Sequence, residues 1–153
     1  MSTRSVIRLK QFDRVIDIYH HYDGYPTGVG FDLLDEIDNW FEHRPEGYLA
    51  DADEFATHLV KNNEATKKLK REDNGYILTV FQHWDAEYLY EIDFGKCVDG
   101  RPAGLTKQEM KEALKCYELE MHFDDGYDGY DKRKSIDLLD LKRRVDAGEE
   151  VEW

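Results

Sequence analysis

The chain has 153 residues, 36% of them charged and 41% apolar, and its 34 acids against 21 bases give a formal net charge of −13. That length is enough for one domain with a core of its own, and no run approaches the ~18 to 20 apolar residues of a membrane span. The acid excess opposes direct nucleic-acid binding.

The elements follow in chain order. Arg4–Lys10 and Arg14–Tyr22 are rich in β-branched and aromatic residues, and the short step between them predicts a hairpin. Asp23-Gly-Tyr-Pro26 breaks the second strand, because Gly suits a turn and Pro26 restricts Tyr25. From Val29 the period changes to helical: Val29, Leu33, Leu34, Ile37, Trp40 and Phe41 form one stripe, with Asp32, Asp35, Glu36 and Asp38 largely off it. Arg44-Pro-Glu-Gly47 closes that helix. A shorter one follows to about Asn63, with Asp51 or Asp53 as N-cap and Phe55, Leu59 and Val60 inward. The basic run Lys61–Arg71 reads as helix end plus loop.

Gly75–Gln82 and Glu87–Phe94 predict a second hairpin, the latter alternating Tyr88, Tyr90, Ile92 and Phe94 with a largely polar face. Thr106-Lys-Gln-Glu109 is a capping box opening a helix with Met110, Ala113, Leu114, Tyr117 and Met121 on one face. A last helix is expected with Ser135 as cap and Ile136, Leu138, Leu139, Leu141 and Val145 packing. Two hairpins interrupted by helices, without a βαβ rhythm, predict an α+β fold. An antiparallel sheet is expected, packed with three to four helices in a single domain spanning 1–153.

Charge varies along the chain: residues 13–58 carry 12 acids against two bases, residues 59–73 recover to +2, and residues 85–131 carry 13 acids against five bases. Such stretches are solvated helix faces or an electronegative surface for a basic partner. Met1–Val6 has no apolar h-region, so neither secretion nor a signal anchor is expected. Cys97 and Cys116 form no CxxC and no ligand cluster, which suits a reducing cytoplasm.

Chemistry-bearing patterns are few. His21-Tyr-Asp23, His83-Trp-Asp85 and His122-Phe-Asp124 each read His-aromatic-Asp, and together they could supply metal ligands. No HxxxH or HExxH fixes two ligands on one element, so turns and packing explain them as well, and no metal or other cofactor is assigned. Asp124–Asp131 departs from the EF-hand template at its third and twelfth positions, Gly126 and Ser135. Gly28-Val-Gly30 before a helix could offer N–H groups to an anion, or could simply make a tight turn. No GxSxG is present and neither cysteine has a neighbouring His, so no catalytic residue is assigned.

Thr3-Arg-Ser5, the short hairpin, Tyr19-His-His-Tyr-Asp-Gly-Tyr-Pro26 and Gly28-Val-Gly30 together resemble the opening of a small-protein family common in phages and prophages. That family opens with Thr-Arg-Ser and carries a His-Trp-Asp-Gly-Tyr-Pro block before Val-Gly and a helix; here Tyr22 stands in the Trp position. The resemblance covers about residues 3–35. It implies a phage-encoded, cytoplasmic accessory protein and carries over no catalytic residues.

Three functions compete. The first is an acidic protein that binds and inhibits a host or anti-phage defence factor by occupying its basic nucleic-acid-binding surface. Its candidate binding residues are His20, His21, Tyr22, Asp23 and Tyr25 at the turn, and Asp32, Asp35, Glu36 and Asp38 on the helix. Neutralising those four helix acids is expected to weaken capture while the fold survives. The second is a binder that sequesters a nucleotide signal, with Tyr19–Tyr25 stacking and Arg4, Arg8 or Lys67–Arg71 as counter-charge. The third is a metal-dependent hydrolase built on His21, His83 and His122. Partners of the first kind exclude nucleic acid and membrane, and an exposed edge strand would allow a homodimer.

Overall fold

The computed structural model describes residues 3–44, 51–61, 75–80, 82–83, 85–120 and 130–153. Its first hairpin is the expected one. Strands β1 (Ser5–Gln11) and β2 (Arg14–His20) pair antiparallel from Ser5–His20 to Gln11–Arg14 and turn through Phe12 at φ 56°. A turn of π-helix, Pro26–Gly30, leads into α1 (Phe31–Glu42), whose Leu33, Leu34, Ile37 and Trp40 are buried as the stripe predicts. Helix α2 (Ala52–Lys61) also follows expectation. The Asp51 carboxylate accepts the Glu54 N–H at 2.7 Å as the N-cap, and Phe55 and Leu59 are buried.

The second hairpin is corrected. Strand β3 (Tyr76–Thr79) pairs antiparallel with β2, whereas β4 (Tyr88–Asp93) pairs in parallel with β1, so the two flank the first hairpin on opposite sides. Burial explains the choice. Val6, Ile7 and Leu9 of β1 and Leu89, Tyr90 and Ile92 of β4 have no exposed surface, so both strands must be interior and covered on both faces. Past β4 lies a small separate ladder of β5 (Cys97–Val98) and β6 (Arg101–Pro102).

Two further expectations change. The capping box at Thr106 and Glu109 is present, but its helix, α3 (Lys107–Ala113), stops at Leu114, where the backbone becomes extended. Residues Lys115–Glu120 form strand β7, which pairs with β4, so Tyr117 lies on a strand and not on a helix face. Asp131–Ile136 forms edge strand β8 against β7, and Ser135 is therefore a strand residue. The cap of the last helix, α4 (Leu138–Asp146), is Asp137, whose side chain accepts the Asp140 N–H.

The sheet order is β3-β2-β1-β4-β7-β8, antiparallel throughout except for β1–β4. Residues of all four helices found among the described residues join one core with Ile7, Leu9, Ile18, Tyr90, Ile92 and Cys116 on a single face of the sheet. This is the expected α+β class. The other face has a smaller cluster of Val6, Ala86, Leu89 and Leu119 under Tyr19, Tyr117 and Tyr130. Around it, charges pair across strands. Arg8 binds Asp17 through two hydrogen bonds of 2.9 and 3.0 Å, and Glu91 meets Lys10 at 3.3 Å and Lys132 at 3.2 Å.

No helix among the described residues is long and apolar enough to cross a membrane. The closure at 45–47, the basic run beyond Lys61, Trp84, Met121 and the stretch 122–129 with its calcium-like pattern lie outside the described residues.

Candidate functional site

The turn after β2 is held by its own polar groups. His20 is 3% exposed and donates from Nδ1 to the Tyr22 carbonyl at 2.6 Å; burial pushes its pKa down to about 4, so the ring is neutral at pH 7. His21 Nδ1 lies 2.6 Å from the Tyr19 hydroxyl, and Tyr22 stands edge-on to the His21 ring. Asp23 has φ 54°, a left-handed conformation that Asp tolerates better than most residues. Its carboxylate accepts from the Tyr25 hydroxyl at 3.1 Å, which raises the Tyr25 pKa. The Gly24 N–H donates to Thr3, and the Gly24 carbonyl accepts from buried Tyr90 at 2.6 Å.

At Gly28 a Cβ would sit 2.2 Å from the Asp23 carbonyl oxygen, so the turn requires glycine there. The anion reading of this segment loses its donors, because the Gly28 N–H goes to Tyr25 and the Val29 N–H to the same Asp23 carbonyl.

Two of the three His-aromatic-Asp patterns come together around Tyr19. Its ring stacks on His83 at 4.0 Å while its hydroxyl meets His21. His83 Nε2 is 2.9 Å from the Thr79 hydroxyl, and the His83 N–H donates to the Tyr130 hydroxyl. Burial lowers the His83 pKa and raises that of Tyr19. The aspartates are engaged apart from the rings: Asp85 pairs with Arg4 at 3.2 Å, and Asp23 holds Tyr25. Among the described residues no group of three His, Cys, Asp or Glu could hold a metal ion. The third pattern, with His122 and Asp124, lies outside them. Arg4 and Arg8, counter-charges of the nucleotide reading, are paired with Asp85 and Asp17.

Three of the four acids of α1 are engaged within the fold. Asp32 accepts the Tyr76 hydroxyl in a short hydrogen bond; burial raises the pKa of Asp32 and, more strongly, that of Tyr76. Glu36 lies 2.7 Å from His58 Nε2 on α2. Asp38 meets Lys111 of α3 at 2.6 Å and Lys107 at 3.9 Å. Asp35 alone of the four is exposed without a described partner. Three of the four tie α1 to neighbouring elements, so neutralising all of them would remove contacts within the fold as well as surface charge.

A cavity lies at the end of the sheet where β1 and β4 begin and β7 ends. Its volume is about 590 Å³. Tyr25, Tyr88 and Trp153 supply aromatic walls, with Thr3 and Leu119 between them; Glu87, Glu118 and Glu120 supply three carboxylates and Arg133 one guanidinium. The Trp153 indole N–H donates to the Tyr88 hydroxyl at 2.9 Å, fixing two walls to one another. Strand geometry places the charges. The Leu119 N–H bonds to the Glu87 carbonyl, bringing Glu87 beside β7. The register of β8 shifts between Glu118, opposite Lys134, and Leu119, opposite Lys132, so Arg133 is the extra residue of a β-bulge. None of Glu87, Glu118, Glu120 and Arg133 is in an ion pair among the described residues.

Of the nine residues expected to bind, Tyr25 lines this cavity; His20, His21, Tyr22 and Asp23 shape the turn behind it, and the α1 acids do not line it. The three glutamates, Tyr88, Arg133 and Trp153 carry no local motif. They converge only through strand pairing and the return of the chain's last residues. No family model, no curated protein and no solved structure matches the chain.

Proposed function

We propose that the chain is a phage-encoded acidic accessory protein that binds and inhibits a host or anti-phage defence factor by occupying a basic, nucleic-acid-binding surface in the host cytoplasm. One observation carries the reading: among the described residues Glu87, Glu118 and Glu120 stand unpaired around an open cavity, while most other described acids have partners within the fold. Unpaired carboxylates at a surface keep their full attraction for an incoming cationic side chain, and the net charge of −13 steers such a partner over a longer range. The resemblance over residues 3–35 supports the phage context. A second reading, sequestration of a nucleotide signal, has the cavity's volume and three aromatic rings in its favour and the three carboxylates against it.

The test is capture from lysate of a phage-susceptible bacterium, using tagged protein and its E87Q/E118Q/E120Q and D35N variants. The parent and D35N should retain a nucleic-acid-binding protein and displace DNA from it, while the triple variant should do neither. Equal capture and displacement by the triple variant would remove the sheet end from the interface and sink the reading.

A further inference from the structure

We propose that the cavity at the sheet end is a receptor for a single organic cation, a guanidinium or alkylammonium group, which enters between the rings of Tyr25, Tyr88 and Trp153. The inference rests on the reading above and adds what that reading lacks: a defined seat and a ligand chemistry. Three properties of the cavity select this class. Its volume of about 590 Å³ falls within the roughly 300 to 1,000 Å³ typical of organic-ligand pockets and far exceeds what a bare metal ion fills. Its walls include three aromatic residues, a residue type whose rings attract cations and pack against the apolar stem of an arginine or a lysine. Among the described residues its carboxylates outnumber its guanidinium groups three to one, which disfavours an anion there.

The walls are also held in place before any ligand arrives. Trp153 and Tyr88 are joined by the indole hydrogen bond of 2.9 Å. Tyr25 precedes a π-helical turn that Gly28 keeps closed, and the Gly24 carbonyl beside it is held by the Tyr90 hydroxyl. A preformed aromatic seat spares the ordering cost that a flexible acidic surface would meet on binding. It also separates this cavity from the paired acids of α1, where a cation would first have to displace His58, Lys107 or Lys111.

The probes are arginine ethyl ester and n-butylammonium, with N-acetylaspartate as an anionic control, titrated into the full chain and followed by tryptophan fluorescence and by amide chemical shifts. Both cations should give saturable changes in the millimolar range, and the control none. W153F should abolish the fluorescence response while the amide shifts of neighbouring residues persist, which assigns the signal to this cavity. E87Q/E118Q/E120Q, shown to be folded by its circular dichroism and melting curve, should bind either cation at least tenfold more weakly. A response that does not saturate, that N-acetylaspartate reproduces, or that survives in the folded triple variant would overturn the proposal.

A competition arm separates the sources of the cation. Release of a captured protein by arginine ethyl ester identifies the cation as a side chain of that partner, and saturable binding without such release identifies it as a free amine or guanidine. The two readings fail separately. Cation binding with no glutamate-dependent capture overturns the inhibitor reading alone, and glutamate-dependent capture with no cation binding overturns the receptor alone.

Discussion

Two groups of carboxylates in this molecule carry the same formal charge in opposite surroundings. Asp32, Glu36 and Asp38 on α1 meet Tyr76, His58 and Lys111, each from a different element packed beside the helix. Glu87 stands at the start of β4 and Glu118 and Glu120 near the end of β7, where no cation bonds them among the described residues. The contrast shows why charge density along a sequence is a poor guide to available charge. An acid on the flank of a packed helix is within reach of its neighbours, whereas Glu87, Glu118 and Glu120 border a cavity at the sheet end.

The largest expected effect sharpens that contrast. D32A/E36A/D38A removes the Tyr76–Asp32 hydrogen bond, the Glu36–His58 contact and the pairing of Asp38 with Lys107 and Lys111, and should cost roughly 3 kcal/mol of stability in urea denaturation. E87Q/E118Q/E120Q should stay within about 0.5 kcal/mol of the parent, as surface changes without partners do. Equal losses in the two variants would break the comparison.

Acid gives a comparable test, centred on the turn that joins the two regions. His20 titrates near 6.5 unfolded and at about 4 folded, because burial disfavours its charged form. Between those values the unfolded chain binds more protons, so stability is lost as pH falls from 6.5 towards 4, by at most about 3 kcal/mol. Asp32 opposes part of this loss: its folded pKa is raised, so protonation favours the folded state there as pH falls. Urea midpoints at pH 7 and pH 5 should therefore diverge in the parent and converge in H20N. Equal divergence in H20N would place the titration elsewhere.

Legibility in the sequence divides along the same line. The stripe Leu33, Leu34, Ile37 and Trp40 was readable because a helix repeats its buried face every three or four residues, and the first hairpin because its strands are adjacent in the chain. Strand β7 was hidden, since Met110, Ala113, Leu114 and Tyr117 fit helical spacing although the helix ends at Leu114. Strand β8 has one buried residue, Ile136, beneath a charged run, which is how an edge strand avoids pairing with strangers and also how it escapes periodicity. The cavity was illegible for a topological reason. Tyr25, Glu87, Glu118 and Trp153 meet only once β1 and β4 pair in parallel, and no local pattern encodes that pairing.

A smaller effect is expected at the cavity wall. W153A removes the hydrogen bond to Tyr88 and part of an aromatic surface that is incompletely buried, so a loss of about 1 kcal/mol is expected in the melting curve. Its binding of arginine ethyl ester should fall further than its stability does. A proportional fall in both would make Trp153 a packing residue only.

The smallest effect on the fold is the sharpest probe of the contrast. Arg133 is exposed, sits at the bulge of β8 and is the one guanidinium lining the cavity among the described residues. If the three glutamates form the attractive side of a cation seat, Arg133 must weaken it. At the several ångströms across such a cavity, and in a largely aqueous dielectric, that repulsion amounts to about 0.5 kcal/mol. R133A should accordingly leave the urea midpoint unchanged and tighten the binding of n-butylammonium two- to threefold, more at low salt than at high. Weaker binding in R133A would mean that the guanidinium contacts the ligand, and that the cavity selects a zwitterion in place of a cation.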